Sequence, residues 1–345
     1  MKKIKTLSSP LLLMEEIQSS ENKQLQMALF KQRGLDAYLN RDLSKFQERF
    51  ETLQLLLDKP ANNDNYEQAF SIFYDIIDAV PLLYNELNGS DIFRAQTNRP
   101  NELFDSQSRI SYNKTYPKLI APGKFNVWYE PMFYGCLPYR PVNDNEYLPP
   151  YLTATFETCK ELKSRTILLQ DFTIGQWKNK SPFHVINLCF DDFHLAHNYE
   201  LKRANDEYVK DLTENLSGPA GDFVHQLFKY YSELCRTGSN EGSYYILTAL
   251  FNAIRQYYGN ENAEVNGLIS CSAATDGVGL NIVLTPEAVD KYLYLNAVLM
   301  YRFFLVLPEA LKYAAYPCSE IILNHQQIDD FNFTFKEYLI PAERF

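Results

Sequence analysis

The chain has 345 residues, is 46% hydrophobic and 22% charged, and carries a net charge of −10. A chain of this size can bury a large core without disulfides or metals, and at roughly 150 residues per domain it suggests two domains or one with a large extension. The acidic balance argues against general nucleic-acid binding, which leaves a basic footprint, so an anionic small molecule would need a few local Arg or Lys residues to hold it.

The six cysteines are scattered with no CxxC pair, the pattern of reduced thiols rather than a disulfide framework or a zinc site. The apolar run Pro10 to Met14 is too short for a signal-peptide core, and no stretch approaches the ~20 apolar residues of a membrane span. A soluble, cytoplasmic protein with no membrane partner is expected.

Residues 1–90 read as a helical N-terminal extension. Leu43, Phe46, Phe50, Leu53 and Leu57 recur at helical spacing. A loop from Pro60 to Asn65 precedes a second helix, Tyr66 to Ala79, which Pro81 ends. From Asn88 to about residue 150 the chain is rich in Pro, Asn and Tyr, as suits short strands and ordered loops. Residues 151–163 look helical, Phe183 to Phe190 reads as a buried strand, and residues 199–217 as a charged, exposed segment. Two amphipathic helices follow, one carrying Phe223 to Leu234 and the other Tyr244 to Ile254. Strands are expected after Gly267, at Leu268 to Ser272, from Asn281, and from Ala297 to Val306. Phe331 to Lys336 alternates with period two, as a half-buried strand should. Helices and strands mix without a βαβ rhythm, so the expected class is α+β.

Several chemical motifs are absent or incomplete. Asp276-Gly-Val-Gly-Leu is a lone GxG outside the context of a dinucleotide fingerprint. His194 and His197 form an HxxH beside carboxylates, but without HExxH or a Cys pair the expected metal set is none. There is no GxSxG elbow. What remains is a series of polar residues in unusual strings: Phe93-Arg94; Gly123-Lys124-Phe-Asn126; Met132-Phe-Tyr134-Gly; Thr153-Ala-Thr-Phe-Glu157; Gly267 through Ser272; and Gly277 through Asn281. Singly, each has a plain explanation. Arg94 suits a structural ion pair, Tyr134 a core position, Glu157 an exposed helix face and Ser272 a packing site.

In this order the strings resemble the RES family, named for its Arg, Glu and Ser residues, over roughly residues 91–300. The resemblance implies an ADP-ribosyltransferase-like mixed β core with added helices, occupying 91–345 after the 1–90 extension. It implies a bacterial toxin that takes NAD as substrate, needs no metal, and pairs with a neutralising antitoxin; a homo-oligomer is compatible with it. Arg94, Tyr134, Glu157 and Ser272 become the candidate catalytic residues. Lys124, Asn126 and Asn281 become candidate NAD-binding residues, with Lys124 where the family carries Arg. On this reading Arg94 and Lys124 grip the pyrophosphate, Tyr134 stacks on nicotinamide, Glu157 stabilises positive charge on the ribose, and Ser272 fixes the ribose or amide. Three activities fit the same residues: NAD cleavage by water or phosphate, ADP-ribose transfer to a protein, and non-catalytic binding.

Overall fold

Apolar periodicity over the first described residues produces two helices, and their aromatic faces decide where they go. The computed structural model describes residues 35–336 apart from 81, 83, 142–146, 191–194, 196–198, 200, 201, 203–215, 217, 238–240, 261, 262 and 307–311. The HxxH pair His194 and His197, and nearly all of the charged segment 199–217, lie outside the described residues.

Helix α1 (Leu35–Leu56) buries Leu39, Phe46, Phe50, Leu53 and Leu56. Helix α2 (Asn63–Ala79) buries Phe73, Ile76 and Ile77. Its start falls inside the Pro60–Asn65 stretch expected to be loop, because Asn62 acts as the N-cap and accepts from the Asn65 N–H at 2.8 Å. Strand β1 (Tyr84–Leu87) corrects the helical reading of residues 80–90. Its residues pair antiparallel with β5 (Phe183–Asn187), so the region read as helical contributes an edge of the sheet.

The remaining strands are β2 (Asp91–Asn98), β3 (Phe133–Leu137), β4 (Leu169–Asn179), β6 (Gly267–Cys271), β7 (Leu280–Leu284), β8 (Leu293–Val306), β9 (Lys312–Pro317) and β10 (Ile322–Leu323). Together with β1 and β5 they form, among the described residues, one ten-stranded mixed sheet in the order β1-β5-β6-β7-β3-β2-β4-β8-β10, with β9 also on β8. Only β5 and β6 pair in parallel among these ladders. The class is α+β, as expected from the mixed element order.

The helices α5 (Pro219–Thr237) and α6 (Glu241–Asn260) bury a broad apolar face each. Phe50 of α1 meets Phe223 and Tyr230 of α5 edge-on, and Phe73 of α2 meets Tyr231. These helices share one continuous core with β1, β5, β6 and β7. A separate, smaller cluster of Ala95, Cys136, Phe172, Ile174 and Phe303 lies under α3 (Pro150–Thr158) and α4 (Lys160–Ser164). A short helix α7 (Pro286–Tyr292) leads into β8.

Two further expectations are corrected. The strand expected from Phe183 to Phe190 ends at Asn187, where the side-chain Oδ1 accepts from the Cys189 N–H at 2.9 Å and turns the chain. Phe331 to Lys336 keeps its alternation, with Phe333 and Phe335 buried, yet makes a single bridge, Ser106 to Asn332, rather than a strand.

Beneath α3 the sheet has a seam. Strand β2 pairs with β4 along its whole length and β3 pairs with β7 along its whole length, but β2 and β3 meet at one position, Phe93 opposite Cys136. Backbone groups left by the missing ladder need other partners. One is supplied by Thr158, whose hydroxyl lies 3.0 Å from the Ala95 carbonyl oxygen and so ties the end of α3 to the open edge of β2.

The GxG at 277–279 has a structural use. Gly277 sits at φ +90°, a conformation that suits only glycine at low cost, and follows Asp276 at φ +53°. Gly279 lies so close to α3 that an added Cβ would stand 2.5 Å from both Cγ2 and Oγ1 of Thr153. Gly279→Ala is therefore expected to push α3 off the sheet and destabilise the fold by roughly 1–3 kcal/mol, read by denaturant unfolding. Parental stability would show that α3 has room to move.

Candidate functional site

The seam between β2 and β3 holds a pocket of about 260 Å³. Arg94 and Gln96 line it from β2, Tyr134 and Cys136 from β3, Glu157 and Thr158 from α3, and Asn281 from β7. Four of the seven residues singled out from sequence thus line one cavity: Arg94, Tyr134, Glu157 and Asn281.

Glu157 lies in the last turn of α3, where the helix dipole opposes a negative charge. Donors from the β6–β7 connection and from β7 itself offset this. Its Oε1 accepts from Ser272 Oγ at 2.6 Å, from Asn281 Nδ2 at 2.6 Å and from the Ala274 N–H at 3.4 Å. Among the described residues none donates to Oε2. One carboxylate oxygen thus has three donors and its twin none among the described residues.

Ser272 is fully buried and does not line the pocket. While its hydroxyl donates to Glu157, its oxygen accepts from the Thr275 N–H at 3.2 Å, capping the 3-10 turn Ala273–Thr275. The structure thus places the Ser272 hydroxyl on Glu157 and the turn, behind the pocket wall, in place of the expected ribose or amide contact.

Arg94 is the cation of the pocket among the described residues. Nη1 donates to the Tyr134 carbonyl oxygen at 2.5 Å, the guanidinium lies 5.1 Å from the Phe133 ring centroid, and buried Nε has no partner. It makes no ion pair among the described residues, so the plain reading of Arg94 as a structural salt bridge fails. Burial lowers its pKa to about 10, which still leaves it charged at neutral pH.

Tyr134 lines the pocket, and its hydroxyl is engaged by the Gly123–Asn126 turn. The O–H donates to Asn126 Oδ1 at 2.7 Å and its oxygen accepts from the Phe125 N–H at 3.3 Å; burial pushes its pKa up. Asn126 is buried, and its Nδ2 donates to the carbonyls of Ala121 and Val127. It braces the Gly123–Asn126 turn and Tyr134 and is not among the residues that line the cavity.

Lys124 is not brought to the pocket either. Its ammonium donates to the Cys235 carbonyl at 2.9 Å, near the C-terminal end of α5, and the residue does not line the pocket. A cation suits that helix end. Lys124→Ala is expected to leave the KM for any pocket ligand unchanged and to lower stability by about 1 kcal/mol. A KM raised tenfold would return Lys124 to the site.

Sequence reasoning missed Gln96, Cys136 and Thr158. Each was within reach of a simple signal, as Gln96 and Cys136 stand two residues beyond Arg94 and Tyr134 on their strands and Thr158 follows Glu157. In comparisons with known proteins, no family profile and no curated protein matches the chain. Among the described residues no helix is long and apolar enough to cross a membrane.

Proposed function

We propose that the chain is a RES-like enzyme with an ADP-ribosyltransferase-like core that breaks the nicotinamide–ribose bond of NAD. The observation that carries this reading is Glu157, whose Oε1 is fixed by three donors and whose side chain lines a pocket shared with Arg94, a cation without an ion pair among the described residues.

The chemistry follows from charge. When the bond between ribose C1′ and nicotinamide nitrogen breaks, its electron pair leaves with neutral nicotinamide and C1′ becomes oxocarbenium-like. Oε2 of Glu157 stabilises that charge and holds a ribose hydroxyl, and its geometry is set before substrate arrives. Arg94 binds the phosphate side, and the Tyr134 ring packs against nicotinamide. Water or phosphate then bonds to C1′ and gives up a proton. The pocket, at about 260 Å³, falls below the roughly 300–1,000 Å³ usual for small-molecule sites, so it takes the nicotinamide half and leaves the adenosine half outside.

The test is to incubate the pure protein with NAD alone. Rapid release of free nicotinamide is the expected result. Release only when a protein acceptor is added would move the reading to ADP-ribosyl transfer, and no release under either condition would leave a binding module. As the toxin of a toxin–antitoxin pair, the enzyme would slow growth when expressed without its neutralising partner, in step with a fall in cellular NAD.

A further inference from the structure

Asn281 can help Glu157 only in one orientation of its side-chain amide. With Nδ2 toward the carboxylate it donates at 2.6 Å; rotated by half a turn, Oδ1 would face Oε1 and repel it. Something must distinguish the two ends of the amide. Directly opposite Asn281 in the β3–β7 ladder stands Cys136, also in the pocket wall and 2% exposed. Its Sγ lies 3.3 Å from Asn281 Oδ1 and donates to it.

We propose that Cys136 is a positioning residue for the site, its S–H fixing the Asn281 amide so that Asn281 holds Glu157 in place. The thiol is suited to this because it stays protonated: burial, and then the nearby charge of Glu157, hold its pKa well above the ordinary thiol value, with Arg94 opposing. A thiolate would instead accept, and would draw Nδ2 away from Glu157. An S–H bond is weak in itself, but in a three-member chain it decides which end of an amide meets a carboxylate.

The kinetic consequence rests on the NAD-cleaving reading, while the orientation does not, and two measurements separate them. The first follows the side-chain amide resonance of Asn281, assigned by its loss in Asn281→Asp. In Cys136→Ala the resonance is expected to shift as the amide loses its fixed partner, and in Cys136→Ser, which keeps an O–H donor, to stay near the parental position. An unmoved resonance in Cys136→Ala would overturn the proposal whatever the enzyme does. The second measures nicotinamide release. Cys136→Ala is expected to lower kcat roughly 3- to 10-fold with KM unchanged, and Cys136→Ser to recover most of the loss. A raised KM with parental kcat would instead make Cys136 a substrate contact and overturn the positioning role. A shifted resonance in a protein whose parent releases no nicotinamide would retire the proposed activity and leave the positioning role standing.

Discussion

Glu157→Gln is expected to lower nicotinamide release by a factor on the order of 10²–10³ while the protein stays folded. The change keeps the shape and one carbonyl oxygen, and that oxygen can still accept from Ser272 Oγ, Asn281 Nδ2 and the Ala274 N–H. What disappears is the negative charge on the atom without a protein partner. The bonds at Oε1 become neutral ones, about half as strong, so a stability loss of about 1 kcal/mol is expected. Asn281→Asp tests the same site from the other side, setting two carboxylates against each other, and should destabilise it at neutral pH more than Glu157→Gln does. Thermal unfolding beside steady-state rates decides the matter. A Gln variant that melts like the parent and turns over NAD at the parental rate would remove Glu157 from catalysis.

The helices were legible because their signal is local. Phe46, Phe50 and Leu53 repeat at helical spacing and all three are buried. Strand β4 left no such signal. It runs from Leu169 to Asn179 with five consecutive buried residues, and polar side chains stand among them because partners elsewhere satisfy them. Asp171 receives both a 2.7 Å and a 2.8 Å bond from Arg302, directly opposite on β8, and Thr173 donates to Asn98 on β2. Strand Tyr84–Leu87 was hidden similarly, since four residues on an edge carry too few alternations to oppose a helical neighbourhood.

The site divides along the same line. Arg94, Tyr134, Glu157 and Asn281 were reachable from ordered strings, because each string places one side chain on a strand or helix that reaches the seam. The rank of each contact was not reachable. Ser272 and Asn126 stand behind Glu157 and Tyr134, and only the hydrogen bonds reveal that they brace other residues. That Lys124 stands outside the pocket was not legible, because a cation after a glycine in a loop looks the same whether it meets a phosphate or a helix C-terminus.

Arg94→Met is expected to separate binding from stability in opposite directions. Arg94 is a charge taken largely out of water without a carboxylate partner among the described residues, compensated by one carbonyl and the Phe133 face. Such a charge costs several kcal/mol to bury, and replacing it by an apolar side chain of similar length is expected to leave the unliganded protein as stable or more stable. The cation–π contact offsets only about 1–2 kcal/mol of that cost. Binding should suffer instead. On the proposed NAD-cleaving reading, loss of a charge-assisted bond to the phosphate side of NAD would remove roughly 1.5–3 kcal/mol, which is about a 10- to 100-fold rise in KM with a smaller change in kcat. The pH dependence carries the same sign. Because burial depresses the pKa of Arg94 to about 10, the penalty for holding its charge is fully present below pH 10 and eases as pH rises from there toward the ordinary value of 12.5. The parent should therefore gain stability relative to Arg94→Met above pH 10, while its affinity for ADP-ribose falls over the same range. Parental KM in Arg94→Met, or an affinity for ADP-ribose that does not fall above pH 10, would take Arg94 out of ligand binding and leave its unpaired charge without a use.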